Sequence, residues 1–470
     1  MDSDKDSHEI ALPRVLGLAM AIAVVVGNTI GSGIFVKPGR IAAEGGSFQL
    51  IFSVWALGTL LCILGGLCLA ELSSMYPKSG GFYVYLKEAY GPLPAFLFGW
   101  QEFLFARPAS TGALAVVCVS SISRITNYPS FSESTPWQSV PITILLIFGV
   151  AWLNVVGVIW GARLQLATTL IKVSLVLAIA VLPWLASLWT SPVVDLSRLS
   201  DKVTPNQPSI VSQFAAVLLA VMWAFNGWEG VVPISEEVKN PERNLPLALL
   251  FGIGILGVLY MGATLAYHAV LPMQEMVLPE NREHVAEILL AKTIGDWGGK
   301  LMSIGLILST FGTINSNLLT SPRVSYAMGR DGLLPKPFGR LHPSYRTPMT
   351  AILFQAFMAS ILVIASTILV NNAEYFRERS VFDLLTNCVV FAASLFYTAA
   401  IAALILLRRN RPAATRPFRT PGYPVTPIAY LIVYLWFMAC VLLDQPFEAL
   451  FGLLLILAGI PAFYRFTRTS

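Results

Sequence analysis

The chain is short of charge. Asp, Glu, Lys and Arg make up 12% of its 470 residues, about half of the roughly 25% usual in soluble domains. Length alone would suggest three soluble domains at about 150 residues each, but so few charges cannot cover three surfaces. Histidine is scarce too. His8, His268, His284 and His342 are scattered without metal-ligand spacing, which argues against a zinc site and a membrane enzyme built on histidine. Cysteine is missing from every polar stretch. Cys62, Cys68, Cys118, Cys388 and Cys440 all lie in apolar runs, so no disulfide framework is expected. Residues 1–10 lack the basic start and short apolar core of a cleavable signal.

What the chain has is hydrocarbon. Hydrophobic residues reach 56% and the mean hydropathy is +0.69. A membrane span needs about 20 apolar residues. Twelve such runs are present, at 14–43, 48–75, 93–122, 138–158, 164–190, 210–236, 246–271, 298–327, 349–370, 381–407, 426–444 and 447–464. The expected fold class is an all-α polytopic membrane protein. With residues 1–13 as a cytoplasmic tail, 19 of the 31 Lys and Arg fall in inner segments and 10 in outer ones. That bias predicts both termini inside, and it accounts for the net charge of +5 without a nucleic-acid partner.

Two spans are interrupted. The first contains Gly27-Asn28-Thr29-Ile30-Gly31-Ser32-Gly33, and the sixth contains Trp223-Ala224-Phe225-Asn226-Gly227-Trp228-Glu229. Glycine alone is common where membrane helices pack closely. Matching breaks in two successive five-span halves, 14–190 and 210–407, point instead to a transporter site between inverted repeats. Residues 426–464 then form two additional spans. Unwound backbone is tolerated at membrane depth only where protein or a wet cavity satisfies it. At the first break the outer half-helix begins near Ser32, and its free N–H groups favour an anion. Gly31 and Gly33 allow close approach. The inner half-helices end in carbonyls that suit an ammonium. An α-amino acid fits both, although a small carboxylate or an ion would use some of the same groups.

Gly-Asn-Thr-Ile-Gly-Ser-Gly-Ile-Phe (27–35) resembles the first-span signature of amino-acid permeases. Residues 223–229, with the run Glu236-Glu237-Val238-Lys239-Asn240-Pro241-Glu242-Arg243-Asn244-Leu245-Pro246, resemble the sixth span and its exit. Residues 309–315 and 329–335 resemble the eighth span and its end. The pattern is similar to the L-type amino acid transporter family of the amino acid–polyamine–organocation superfamily, over nearly the whole chain. The resemblance implies the five-plus-five inverted-repeat fold with two extra spans. It also implies sodium-independent amino-acid transport, usually by exchange.

Carried over residue by residue, the resemblance puts the substrate carboxylate on the N–H groups of Gly31, Ser32 and Gly33. The ammonium goes to carbonyls of Thr29, Trp223 and Asn226. Trp223 matches an aromatic that closes over the substrate from outside. Asn226 stands where cationic-substrate relatives carry aspartate and large-neutral transporters carry glycine. With no counter-charge for a buried cation, and with more bulk than glycine, it points to small or medium neutral substrates. Ser110, Leu114, Phe391 and Ser394 are expected near the pocket. Animal L-type chains join a glycoprotein through a cysteine between spans three and four. Residues 123–137 have none, so no disulfide-linked partner is expected. The partners are then amino-acid substrates and membrane lipid, with no cofactor, in a bacterial inner membrane.

Some charges fall inside spans. Lys172 lies about nine residues from the inner end, roughly 13 Å deep at 1.5 Å per residue, which is far to snorkel. In sodium-independent relatives the matching lysine replaces a sodium ion, so Lys172 is expected to bond first-span carbonyls near Gly27 and an eighth-span hydroxyl. Glu102 and Arg107 are five apart, a poor spacing for pairing on one helix face. Glu229 departs from the family's asparagine and is expected on the outer vestibule, with proton coupling as the other option. Glu236 and Glu237 are expected to meet inner arginines such as Arg330. Pro241 is expected to end one helix and Asn244 to cap the next. A proton-coupled symporter, through Lys172 or Glu229, stays open beside exchange. A channel is disfavoured because no ring-forming selectivity sequence is present.

Overall fold

Apolar runs of this length have one stable form in lipid, because only a helix satisfies every backbone N–H and C=O within its own segment. A computed structural model describes residues 14, 16–126, 136–156, 158–188, 193–345, 347–372 and 380–468. Among them no sheet forms, and the two isolated bridges, Leu16 with Val238 and Ser47 with Lys202, merely pin loops to helix ends. Most of the expected tail, 1–13, and most of the loop between the third and fourth spans lie outside the described residues. Among the described residues, eleven helices are long and apolar enough to cross a membrane. The twelfth expected span survives as the 16-residue helix Ile210–Phe225, too short alone, because its second half is unwound.

Both expected breaks are present. The first span runs as Leu18–Thr29, unwinds at residues 30–32, and resumes as Gly33–Val36 and Pro38–Gly45. The sixth stops at Phe225, where Asn226 turns extended and Gly227 takes φ 102. A short 3₁₀ segment, Val232–Glu237, follows. Around this pair, Phe48–Met75 packs along Pro241–Val270, and Arg107–Thr126 along Asp296–Thr320. Leu145, Leu170, Val258, Leu443 and Leu454 are more than half exposed. Such a belt would be a liability in water and is the expected face toward lipid.

Three local features differ from expectation. Pro241 begins the seventh span rather than ending the sixth. Its ring fits the first helical position, where no N–H is needed. Asn244 is therefore inside the first turn, donating to Lys239 O at 2.5 Å. The third span contains a π-helical turn, Glu102–Ala106. A π turn bonds residue i to i+5, so Arg107 stacks over Glu102, and their side chains pair at 2.7 Å. The spacing that excluded a pair on a regular helix is the spacing that makes it here.

One end of the bundle, rich in Lys and Arg, is tied by ion pairs. Glu71 is fully buried and takes both Nε and Nη2 of Arg408 at 2.8 and 2.5 Å. It also accepts the Thr420 N–H at 2.7 Å, and Arg416 lies 3.3 Å away. The second span thereby holds the 411–425 connection. Removing a buried carboxylate strands its cations, at a cost of about 3–5 kcal/mol. Glu71→Ala should therefore lower the melting temperature of detergent-purified protein sharply. Glu88→Ala, which breaks a more exposed pair with Arg411, should cost at most about 1 kcal/mol and shift the same melt little.

Candidate functional site

The two breaks meet. At Gly227 and Gly33 the two broken spans press together. A Cβ on Gly227 would lie 2.8 Å from Asn28 O, and one on Gly33 would lie 2.5 Å from Ala224 Cα. Unwinding frees backbone groups, and specific side chains take some of them. Tyr260 Oη donates to Thr29 O and to Ala224 O, at 3.3 and 3.0 Å, bridging both broken spans. Ser309 Oγ donates to Gly31 O at 3.2 Å. Lys172 is fully buried and donates to Gly27 O at 2.7 Å and to Thr313 Oγ1 at 2.6 Å. Its ammonium thus joins the first, fifth and eighth spans. The amides of Gly31, Ser32 and Gly33 precede the first intrahelical bond of the outer half-helix, where N–H groups have no helical acceptor. Ser32 Oγ is buried and unpartnered among the described residues.

A small cavity, about 320 Å³ of empty space when its open mouth is counted, lies between the breaks. Thr29, Gly31, Ser32, Gly33, Trp223 and Asn226 all line it. Ser110 and Leu114 line it from the third span, and Asn317 Nδ2 donates to Ser110 Oγ at 3.0 Å. Phe391 and Ser394 do not reach it. Phe391 packs beside Gly452, and Ser394 Oγ donates back to Val390 O.

Several features were not read from the sequence. Asn28, Arg107, Gly227, Thr313 and Asn317 also line the cavity. Arg107 Nη2 pairs with Glu229 at 3.1 Å, and Glu229 is 1% exposed rather than open to a vestibule. The π turn swings Arg107 onto the sixth-span break, and that partner makes burial of Glu229 tolerable. Above Trp223, its ring meets Phe382 edge-on at 5.9 Å, and Lys37 Nζ sits 4.6 Å over Phe382. Lys37 is buried, pairs with Asp383 and donates to Thr386 at 3.0 Å. The sequence counted Lys37 as an outer loop charge, and nothing near it signalled a partner 346 residues away.

The opposite, basic end is closed by polar contacts too. Glu237 pairs with Arg323 at 3.0 Å, and Glu236 accepts the Ser79 N–H at 3.1 Å. The basic partner is thus Arg323, about two turns nearer the site than Arg330, which lies over the Tyr326 ring. Asp331 pairs with Lys87 at 2.6 Å and accepts from the Tyr83 hydroxyl. Burial, reinforced by the Asp331 carboxylate, pushes the Tyr83 hydroxyl well up, so it stays protonated and donates.

Two broken helices meeting at a small polar cavity inside an apolar bundle define a membrane transporter of the broken-helix class. A family model described as amino acid permease matches residues 16–452. The chain belongs to that family, within the amino acid–polyamine–organocation superfamily, whose members are transporters and not enzymes. It is similar to the serine/threonine exchanger SteT of Bacillus subtilis (strain 168), at 32% identity over 97% of this chain and 98% of that protein. It is also similar to the mouse Asc-type amino acid transporter 1, at 30% identity over 97% of this chain and 82% of that protein. The human cystine/glutamate transporter is 29% identical over 98% and 86%.

Close packing of the breaks is testable. Gly33→Ala drives a methyl group into Ala224 backbone, an overpacking cost of about 1–3 kcal/mol or more. It should lower the melting temperature and abolish stabilisation by added amino acid. Gly254→Ala, which meets nothing within 4 Å, should leave both readouts unchanged.

Proposed function

We propose that the protein carries small and medium-sized neutral L-amino acids across the plasma membrane, independently of sodium, by alternating access and as an exchanger. The observation that carries the reading is the cavity at the two breaks, lined by Thr29, Gly31, Ser32 and Gly33 of the first span and by Trp223 and Asn226 of the sixth. The substrate carboxylate binds the N–H groups of Gly31, Ser32 and Gly33, and its ammonium binds carbonyls of Thr29, Trp223 and Asn226. A neutral polar wall from Asn28, Ser110, Asn226 and Asn317 suits short side chains with hydroxyl or amide groups. The similarity to a serine/threonine exchanger points the same way.

Sodium independence rests on Lys172. Its ammonium occupies the place between the first and eighth spans where a monovalent cation would otherwise satisfy Gly27 O and Thr313 Oγ1. Trp223, Phe382 and the Lys37–Asp383 pair form the outer closure. The pairs at the basic end form the inner one, with both termini cytoplasmic by the distribution of Lys and Arg. The protein works without a disulfide-linked heavy chain.

The test is uptake of labelled alanine and serine into proteoliposomes without sodium. Vesicles preloaded with unlabelled amino acid should take up label saturably, and empty vesicles should not. Accumulation in empty vesicles driven by an inward proton gradient would replace exchange by proton symport. Lys172→Met removes two charge-assisted hydrogen bonds worth about 1.5–3 kcal/mol each. It should cut exchange at least about tenfold, and added sodium should not restore it.

A further inference from the structure

Among the described residues, Arg107 is the one charged side chain on the cavity wall. Its guanidinium does not face the cavity as a free cation. Nε donates to Glu102 at 2.7 Å, and Nη2 donates to Glu229 at 3.1 Å. All three side chains are largely buried, at 15%, 8% and 2% exposure for Arg107, Glu102 and Glu229. One guanidinium is therefore flanked by two carboxylates, and the second oxygen of Glu229 has no partner among the described residues.

This arrangement separates two properties that an arginine usually delivers together. Guanidinium carries five N–H donors, and two carboxylates use only part of them. The remainder can serve a substrate hydroxyl or amide. The positive charge, however, is already over-compensated within contact distance. A carboxylate on the substrate side chain would meet one cation and two buried anions, and like charges in a low-dielectric site are strongly penalised. We propose that Glu229 is a specificity-setting residue that acts through Arg107. By neutralising the guanidinium from the sixth-span break, it turns an acidic-side-chain site into one that excludes acidic amino acids and accepts neutral polar ones. Glu102 supplies the other half of the neutralisation but sits on the same helix as Arg107. Glu229 belongs to the sixth-span break, so its pairing also ties the third span to that break.

The inference rests on the proposed placement of the substrate between the breaks. It is tested by competition against labelled serine uptake in proteoliposomes holding the full-length protein. The competitors are unlabelled L-alanine, L-aspartate, L-glutamate and L-lysine. In the wild type, alanine should compete and the two acidic amino acids should not. Glu229→Gln should make aspartate and glutamate compete about tenfold better relative to alanine. Arg107→Gln, which leaves two carboxylates without a counter-charge, should shift preference the other way and let lysine compete. Where a variant transports too slowly, amino-acid-induced thermal stabilisation of purified protein gives the same ratios.

An unchanged acidic-to-neutral ratio in Glu229→Gln overturns the inference, as does a wild type inhibited by glutamate as well as by alanine. A general loss of stability would lower responses to all competitors together and leave the ratio where it was, which also counts against it. Failure of the wild type to take up any amino acid would sink the transport reading itself, and is distinguishable because it precedes any comparison of variants.

Discussion

Backbone that leaves the helix inside hydrocarbon must find partners, and the rest of this structure is arranged around that requirement. Two spans unwind at the same depth, and each freed group is an obligation of several kcal/mol. Lys172, Tyr260, Ser309 and Thr313 meet some of these obligations from neighbouring helices. The groups they leave open face one small cavity. Stability and binding thus draw on the same atoms: what the protein does not satisfy itself is what a ligand can satisfy.

The same economy governs charge. Ionisable side chains are rare here, and apart from Lys172 the buried ones described above come in sets. Lys37 is matched by Asp383, Glu71 by Arg408 and Arg416, and Arg107 by Glu102 and Glu229. Each set joins segments far apart in sequence, and a broken pair would leave a charge in low dielectric. Such pairs are therefore suited to hold one arrangement firmly until the substrate or the surrounding water changes the balance. The Lys37–Asp383 pair above Trp223 and the Glu237–Arg323 pair at the basic end lie on opposite sides of the cavity, where a path through it has to open and close.

Much of the architecture was legible before any coordinates. The period and length of apolar runs separate the spans, and the two glycine-containing interruptions mark the spans that unwind. Six of the ten residues expected around the substrate came from those two motifs, and they border one cavity. Phe391 and Ser394, expected there from a helix register several turns from any motif, do not. A register error of one residue rotates a side chain by about 100°, and no local signal in an apolar helix corrects it.

Local rules also failed at Glu102 and Arg107, where a π turn changed the spacing that counts. The sequence by itself determined that this is a membrane-spanning helical protein with breaks in its first and sixth spans, because bilayer thickness and backbone satisfaction leave few alternatives. Only the tertiary structure decided which charges meet. Lys37 and Asp383, or Arg107 and Glu229, are brought together by helix packing between distant segments, and pairwise electrostatics across a bundle leaves no trace in the order of residues along the chain.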